Sequence, residues 1–134
     1  MKVFKLMALS LAATLLISGC NNQDNTIQLT TFTPLSGEKA PEGESIRLGA
    51  NLAVKELTKK GYEITLHSID SHMKPDALKE EKGLIIEPPK QEPQEQKIDW
   101  AEEYERNYGK KPDAFSIYGY NTVLTLIQQG GEKK

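Results

Sequence analysis

Cysteine is almost missing from this chain. It occurs once, at Cys20, so no disulfide can close within one copy. Histidine occurs only at His67 and His72. No Cys/His spacing matches a structural zinc motif, and the two histidines, even with Asp70 between them, match no other metal signature. We expect no metal and read both histidines as surface residues. Charge of one sign is also lacking. The net charge is −2, which argues against a nucleic-acid partner, because such a partner calls for a basic footprint. Gly37, Gly43 and Gly49 fit neither G-x-G-x-x-G nor a P-loop, so a phosphate cradle is unsupported. Ser36-Gly37 lacks the G-x-S-x-G elbow of a serine nucleophile and has no evident histidine partner. Past residue 20 no long apolar run recurs, so nothing further along the chain reads as a membrane span.

What is present begins with Lys2 and Lys5, followed by an uncharged run rich in Leu and Ala from Leu6 to Ile17. That run has the length of an export-signal core and falls short of the roughly 20 residues that a spanning helix needs. It ends in Leu16-Ile17-Ser18-Gly19-Cys20. This ending resembles the bacterial lipobox: an aliphatic residue, two small ones, then a cysteine whose sulfur takes a diacylglycerol. The resemblance implies a signal peptide over 1–19, lipidation at Cys20 and an extracytoplasmic protein anchored to the membrane by lipid. Lys2 and Lys5 are two of the 17 cations, so without residues 1–19 the remaining 15 stand against 19 carboxylates, a net charge of −4. The 115 residues that remain of the 134 suffice for one small domain. Residues 20–26 are polar around Asn21 to Asn25 and read as a flexible tether.

The rest of the pattern predicts an α/β domain over 27–129. Ile27 to Thr33 alternates and is rich in threonine, which suits a strand. After a loop, Ile46, Ala50, Ala53, Val54 and Leu57 fall on one helical face, predicting a helix through about Lys60, stopped by Gly61. Tyr62 to His67 alternates as a second strand, making a βαβ unit. Pro75 predicts a short helix over Asp76 to Lys82. Leu84-Ile85-Ile86 reads as a buried strand. Residues 87–97 hold Pro88, Pro89 and Pro93 and read as a loop, because proline fits neither a helix interior nor a central strand. A helix from about Ile98 to Tyr108 follows, with Trp100, Tyr104 and Tyr108 on a core face, ended by Gly109 and Pro112. Asp113 is placed to cap a last helix running to about Gln129, with Ile117, Tyr120, Leu124 and Ile127 inward. Residues 130–134 read as a disordered tail. Gly49 and Ala50 should let the first helix lie close to the sheet. Asp99, Glu102, Glu103 and Glu105 read as a solvated helix face rather than an acid/base pair. The expected architecture is a small parallel sheet flanked by helices.

Two segments carry a family resemblance. Thr33-Pro34-Leu35-Ser36-Gly37, then Gly43, then Ile46 to Val54 is similar to the opening of branched-chain amino-acid binding proteins, including its helix of the form G-x5-G-x2-L-A. Tyr104 to Phe115, with Gly119-Tyr120 after it, resembles that family's late Y-G-x-x-P-D-A-(Y/F)…G-Y segment. These proteins are the leucine/isoleucine/valine-type solute receptors of ABC importers, with the type I periplasmic-binding fold. The resemblance implies a truncated or internally deleted member that keeps part of the lobe containing the N-terminus, since the central family pattern and its end have no counterpart.

It further implies a small amino-acid ligand, an ABC permease as partner, no cofactor and no catalysis. By the same resemblance Leu35, Ser36 and Gly37 form a ligand-facing turn. Glu42 stands where many relatives carry a cleft-lining aromatic, and Tyr118 is a candidate ligand contact. One lobe alone is expected to bind weakly or not at all. The alternative is a structural or interaction lipoprotein, a single-lobe remnant without ligand. A small secreted hydrolase has no supporting motif.

Overall fold

A computed structural model describes residues 25–132; the expected export signal, Cys20, most of the expected tether and residues 133–134 lie outside the described residues. Strand β1, Ile27–Thr33, lies at the centre of a three-stranded sheet. It pairs in parallel with β2, Ile64–Asp70, on one side and β3, Leu84–Ile86, on the other. Leu29 stands opposite Leu66 and Leu84. Leu29, Thr30, Thr31 and Thr33 are all buried, as a central strand requires. Its threonines find partners: Thr31 Oγ1 donates to Ser68 Oγ at 2.9 Å, and Thr33 Oγ1 to the Gly43 carbonyl at 3.3 Å. The fold is thus α/β, with a small parallel sheet flanked by helices.

Helix α1, Ala40–Lys59, packs on β1 and β2, helix α2, Ala101–Tyr108, follows the proline-rich loop, and helix α3, Ala114–Glu132, runs along α1 and touches β3. The predicted stripe of α1 is buried, and so are Leu48 and Leu52 beside it. The stripe is wide because α1 has two neighbours, the sheet and α3. Gly49 does not serve the sheet, contrary to the sequence expectation. A Cβ there would lie 1.9 Å from the Ser116 carbonyl oxygen, so the bare backbone of α1 meets the start of α3. Gly119 returns the contact, with the Ile46 carbonyl 2.2 Å from where its Cβ would be. Among the described residues no helix is long and apolar enough to cross a membrane.

Several boundaries differ from the sequence expectation. β2 starts later and runs on to Asp70, because the ladder with β1 carries Ser68, Ile69 and Asp70 beyond the point where local alternation ends. The expected helix over 76–82 is a single 3₁₀ turn, Ala77–Glu80, with no buried residue. Helix nucleation is costly, and this segment has no apolar face to offset it. α2 begins at Ala101, not Ile98, with Trp100 at its N-cap. α3 passes through Gly130 to Glu132. Gly130 does not take the positive φ that would end a helix, whereas Gly109, at φ +75°, does so for α2. Trp100, Tyr104 and Tyr120 join one core; the Trp100 and Tyr120 rings stack with centroids 4.3 Å apart.

Candidate functional site

Strand order places the site. The chain leaves β1 for β2 on one side, then returns to β3 on the other. Connections therefore diverge at the carboxyl ends of β1 and β3, the place where open parallel sheets bind ligands. A pocket of about 370 Å³ lies there, at the lower end of the range for small-molecule sites. Pro34, just past β1, forms one edge, and Lys39, Glu42, Gly43 and Ile46 of the α1 entry form a wall. Pro88 to Glu92, just past β3, form the facing wall, and Phe115 of α3 closes it.

Local sequence explains this shape. Pro34 ends β1 and sits directly on α1: a Cβ on Gly43 would lie 1.7 Å from the Pro34 carbonyl oxygen, so only glycine permits the approach. Pro88 and Pro89 offer no backbone donors, so the sheet cannot continue past β3. Tyr118 Oη donates to the Glu87 carbonyl at 2.7 Å and pins the chain where it leaves the sheet. The pocket carries both signs of charge. Lys39 Nζ lies 3.6 Å from Glu42 Oε1, with the lysine side chain 71% exposed at the mouth. Lys90 and Glu92 supply a second cation and a second anion from the facing wall. Phe115 and the prolines supply apolar surface between them, with the buried Ile46 behind.

The residues expected at the site divide. Glu42 lines the pocket; Leu35, Ser36, Gly37 and Tyr118 are not among its walls. The Leu35-Ser36-Gly37 turn instead faces the end of β2. Leu35 N and His72 N both donate to Asp70 Oδ1, at 2.9 and 3.0 Å. The Leu35 amide, then the Ser36 hydroxyl and the neighbouring amides, hold the Asp70 carboxyl below its ordinary range. Ser36 Oγ lies 3.1 Å from His72 Nδ1, and the His72 ring covers Gly37, which takes φ +83°.

Ser36 therefore does have a histidine partner, contrary to the sequence expectation, because the parallel ladder brings the ends of β1 and β2 together. Asp70 Oδ1 receives two backbone amides, and the imidazole lies on the serine with Nδ1. The arrangement clasps a turn. His67 is exposed, as expected.

Among the described residues no three of His, Cys, Asp and Glu are grouped to hold a metal ion. Asp99, Glu102 and Glu103 line a broad hollow of about 600 Å³ with Glu56 and Arg106. Asp99, Glu102 and Glu105 are exposed, while Glu103 is half-buried and 3.6 Å from Lys59 Nζ. Sequence reading did not single out Lys39, Lys90, Glu92 or Phe115. For Lys90 and Glu92 the one visible signal is the mixture of charge with proline at 88–93. No family model matches the chain, and neither does any curated protein or solved structure.

Proposed function

We propose that this chain is an extracytoplasmic solute-binding lipoprotein of an ABC importer, anchored through Cys20 and taking branched-chain or related amino acids between β1 and β3. The observation that supports the ligand class is a pocket carrying both signs of charge on an apolar floor. An amino acid presents an ammonium and a carboxylate a few bonds apart, with a side chain beyond them. A cleft of mixed sign can pair both ends, while Phe115 and the prolines can receive an aliphatic chain. A purely anionic or cationic solute would leave half of these charges unanswered, which is unfavourable wherever binding removes water from them. Calorimetry against leucine, isoleucine, valine and short amides tests the reading. Weak binding heat with a branched-chain amino acid is expected of this lobe alone; silence with all of them removes the binding claim.

A second reading has its own observation. The turn that the resemblance assigns to the ligand carboxylate is engaged elsewhere, with the Leu35 amide on Asp70 and Ser36 on His72. On that reading the chain is a structural or interaction lipoprotein without ligand. Thermal unfolding separates the two: ligand at 100 times its dissociation constant adds about 2.7 kcal/mol to a binding protein and nothing to the other. The anchor has a separate test. Cys20→Ala should move the protein from the membrane to the soluble fraction; a signal-cleaved variant that stays membrane-bound would rule out lipid anchoring at this residue.

A further inference from the structure

We infer that the proline-rich segment 88–92 is the second wall of a one-domain binding site, and that Lys90 and Glu92 on it select zwitterionic ligands. The inference rests on the amino-acid reading above. Receptors that close around a ligand obtain their second wall from a second domain that swings shut. Here a wall already stands opposite α1, built from the same domain.

Its stiffness follows from sequence. Pro88 and Pro89 each fix φ, which holds the chain extended without hydrogen bonds of its own. It is fastened where it leaves the sheet: Ile86 is fully buried, β3 pairs with β1, and Tyr118 Oη holds the Glu87 carbonyl. Further along, Trp100 is 8% exposed and stacked on Tyr120, which returns the chain to the core. A wall ordered in advance loses little freedom when a ligand arrives, so weak contacts go further.

The charges make it selective. Glu42, on the first turn of α1, faces the ligand ammonium, and Lys90, from the strap, faces its carboxylate. Lys39 pairs with Glu42 at 3.6 Å, and Glu92 lies beside Lys90 on the strap. A ligand lacking either head group forgoes one of these two contacts.

The test uses the full chain in detergent and titrates leucine, isocaproate, which lacks the ammonium, and isoamylamine, which lacks the carboxylate. Leucine should bind at least about tenfold more tightly than either analogue, the weight of one charge-assisted hydrogen bond. Lys90→Ala should weaken leucine by about tenfold or more and leave isoamylamine unchanged. Glu92→Ala and a Gly-Ser replacement of residues 88–92 should also weaken leucine. Lys90 and Glu92 are exposed, so the ligand-free unfolding temperature, followed by Trp100 fluorescence, should not move in their single variants. If leucine binds and the Lys90, Glu92 and Gly-Ser variants bind it equally well, the strap is not a wall, while the amino-acid reading stands. If leucine and isocaproate bind alike, the selection for zwitterions is wrong. If the unaltered chain binds none of the three, both readings fall.

Discussion

Gly49 carries a conflict between two effects of known size. In an isolated helix, alanine would be better there by about 1 kcal/mol. In this protein its methyl would lie 1.9 Å from the Ser116 carbonyl oxygen, which belongs to the backbone of α3 and cannot rotate aside. Overpacking of this kind costs about 1–3 kcal/mol, so contact should outweigh propensity. Gly49→Ala is expected to lower the unfolding free energy by up to about 2 kcal/mol, read from denaturant curves followed by the fluorescence of Trp100, the only tryptophan. A neutral or stabilising result would mean that α1 and α3 are not in backbone contact. The glycine was visible in the sequence, but its neighbour was not. An α-helix with a bare patch says that something comes close, and the sheet was the nearer guess.

At the scale of elements, capping was among the most legible features. Asp113 Oδ1 accepts from Ser116 N at 2.9 Å, and Asp113 N donates to Ser116 Oγ at 2.6 Å, a reciprocal cap at the start of α3. The structure adds a long-range role: Ser45 Oγ, buried on α1, donates to Asp113 Oδ2 at 2.8 Å. Asp113→Ala should therefore cost more than a cap alone, about 1 kcal/mol plus the penalty for a buried hydroxyl without its partner. Asp113→Asn should retain most of the stability, and equal loss in the two variants would refute the capping role. Strand ends were less legible than caps. β2 gains Ser68, Ile69 and Asp70 from pairing with β1, which lies some thirty-five residues away in sequence, and no local pattern reports that. The 3₁₀ turn at 77–80 was misread for the opposite reason: helix-compatible residues were present, but no core reaches them.

The whole molecule has a pH signature set by opposite ends of the scale. The Asp70 carboxyl, held below its ordinary 3.8 by the Leu35 amide first, favours the folded state while it is ionised. That contribution is complete above the unfolded value and is lost as pH falls through the lower folded one. Burial pushes Tyr104 up to about 12 from 10 and raises Tyr120 as well, so both remain phenols in the fold. Above pH 10 the unfolded chain ionises these groups and the folded one does not, so stability falls up to about pH 12 for Tyr104. Unfolding temperature should accordingly drop at both extremes. Tyr104→Phe should flatten part of the alkaline limb; an unchanged limb would show that the buried phenol is not its source.

Much was decided by sequence alone: the α/β class, the order of the strands and α-helices among the described residues apart from the turn at 77–80, the cap at Asp113, the stop at Gly109 and the proline-rich break after β3. These follow from interactions within a few residues, namely period, φ restriction and missing donors. Tertiary structure decided the rest. It set the order β2-β1-β3 and thereby the place of the pocket. It turned Ser36 toward His72 and brought Lys90 and Glu92 to the pocket that Glu42 lines. Such neighbours come from hydrogen bonding between distant strands and from packing of helix on helix, and their separation along the chain leaves no trace in local pattern.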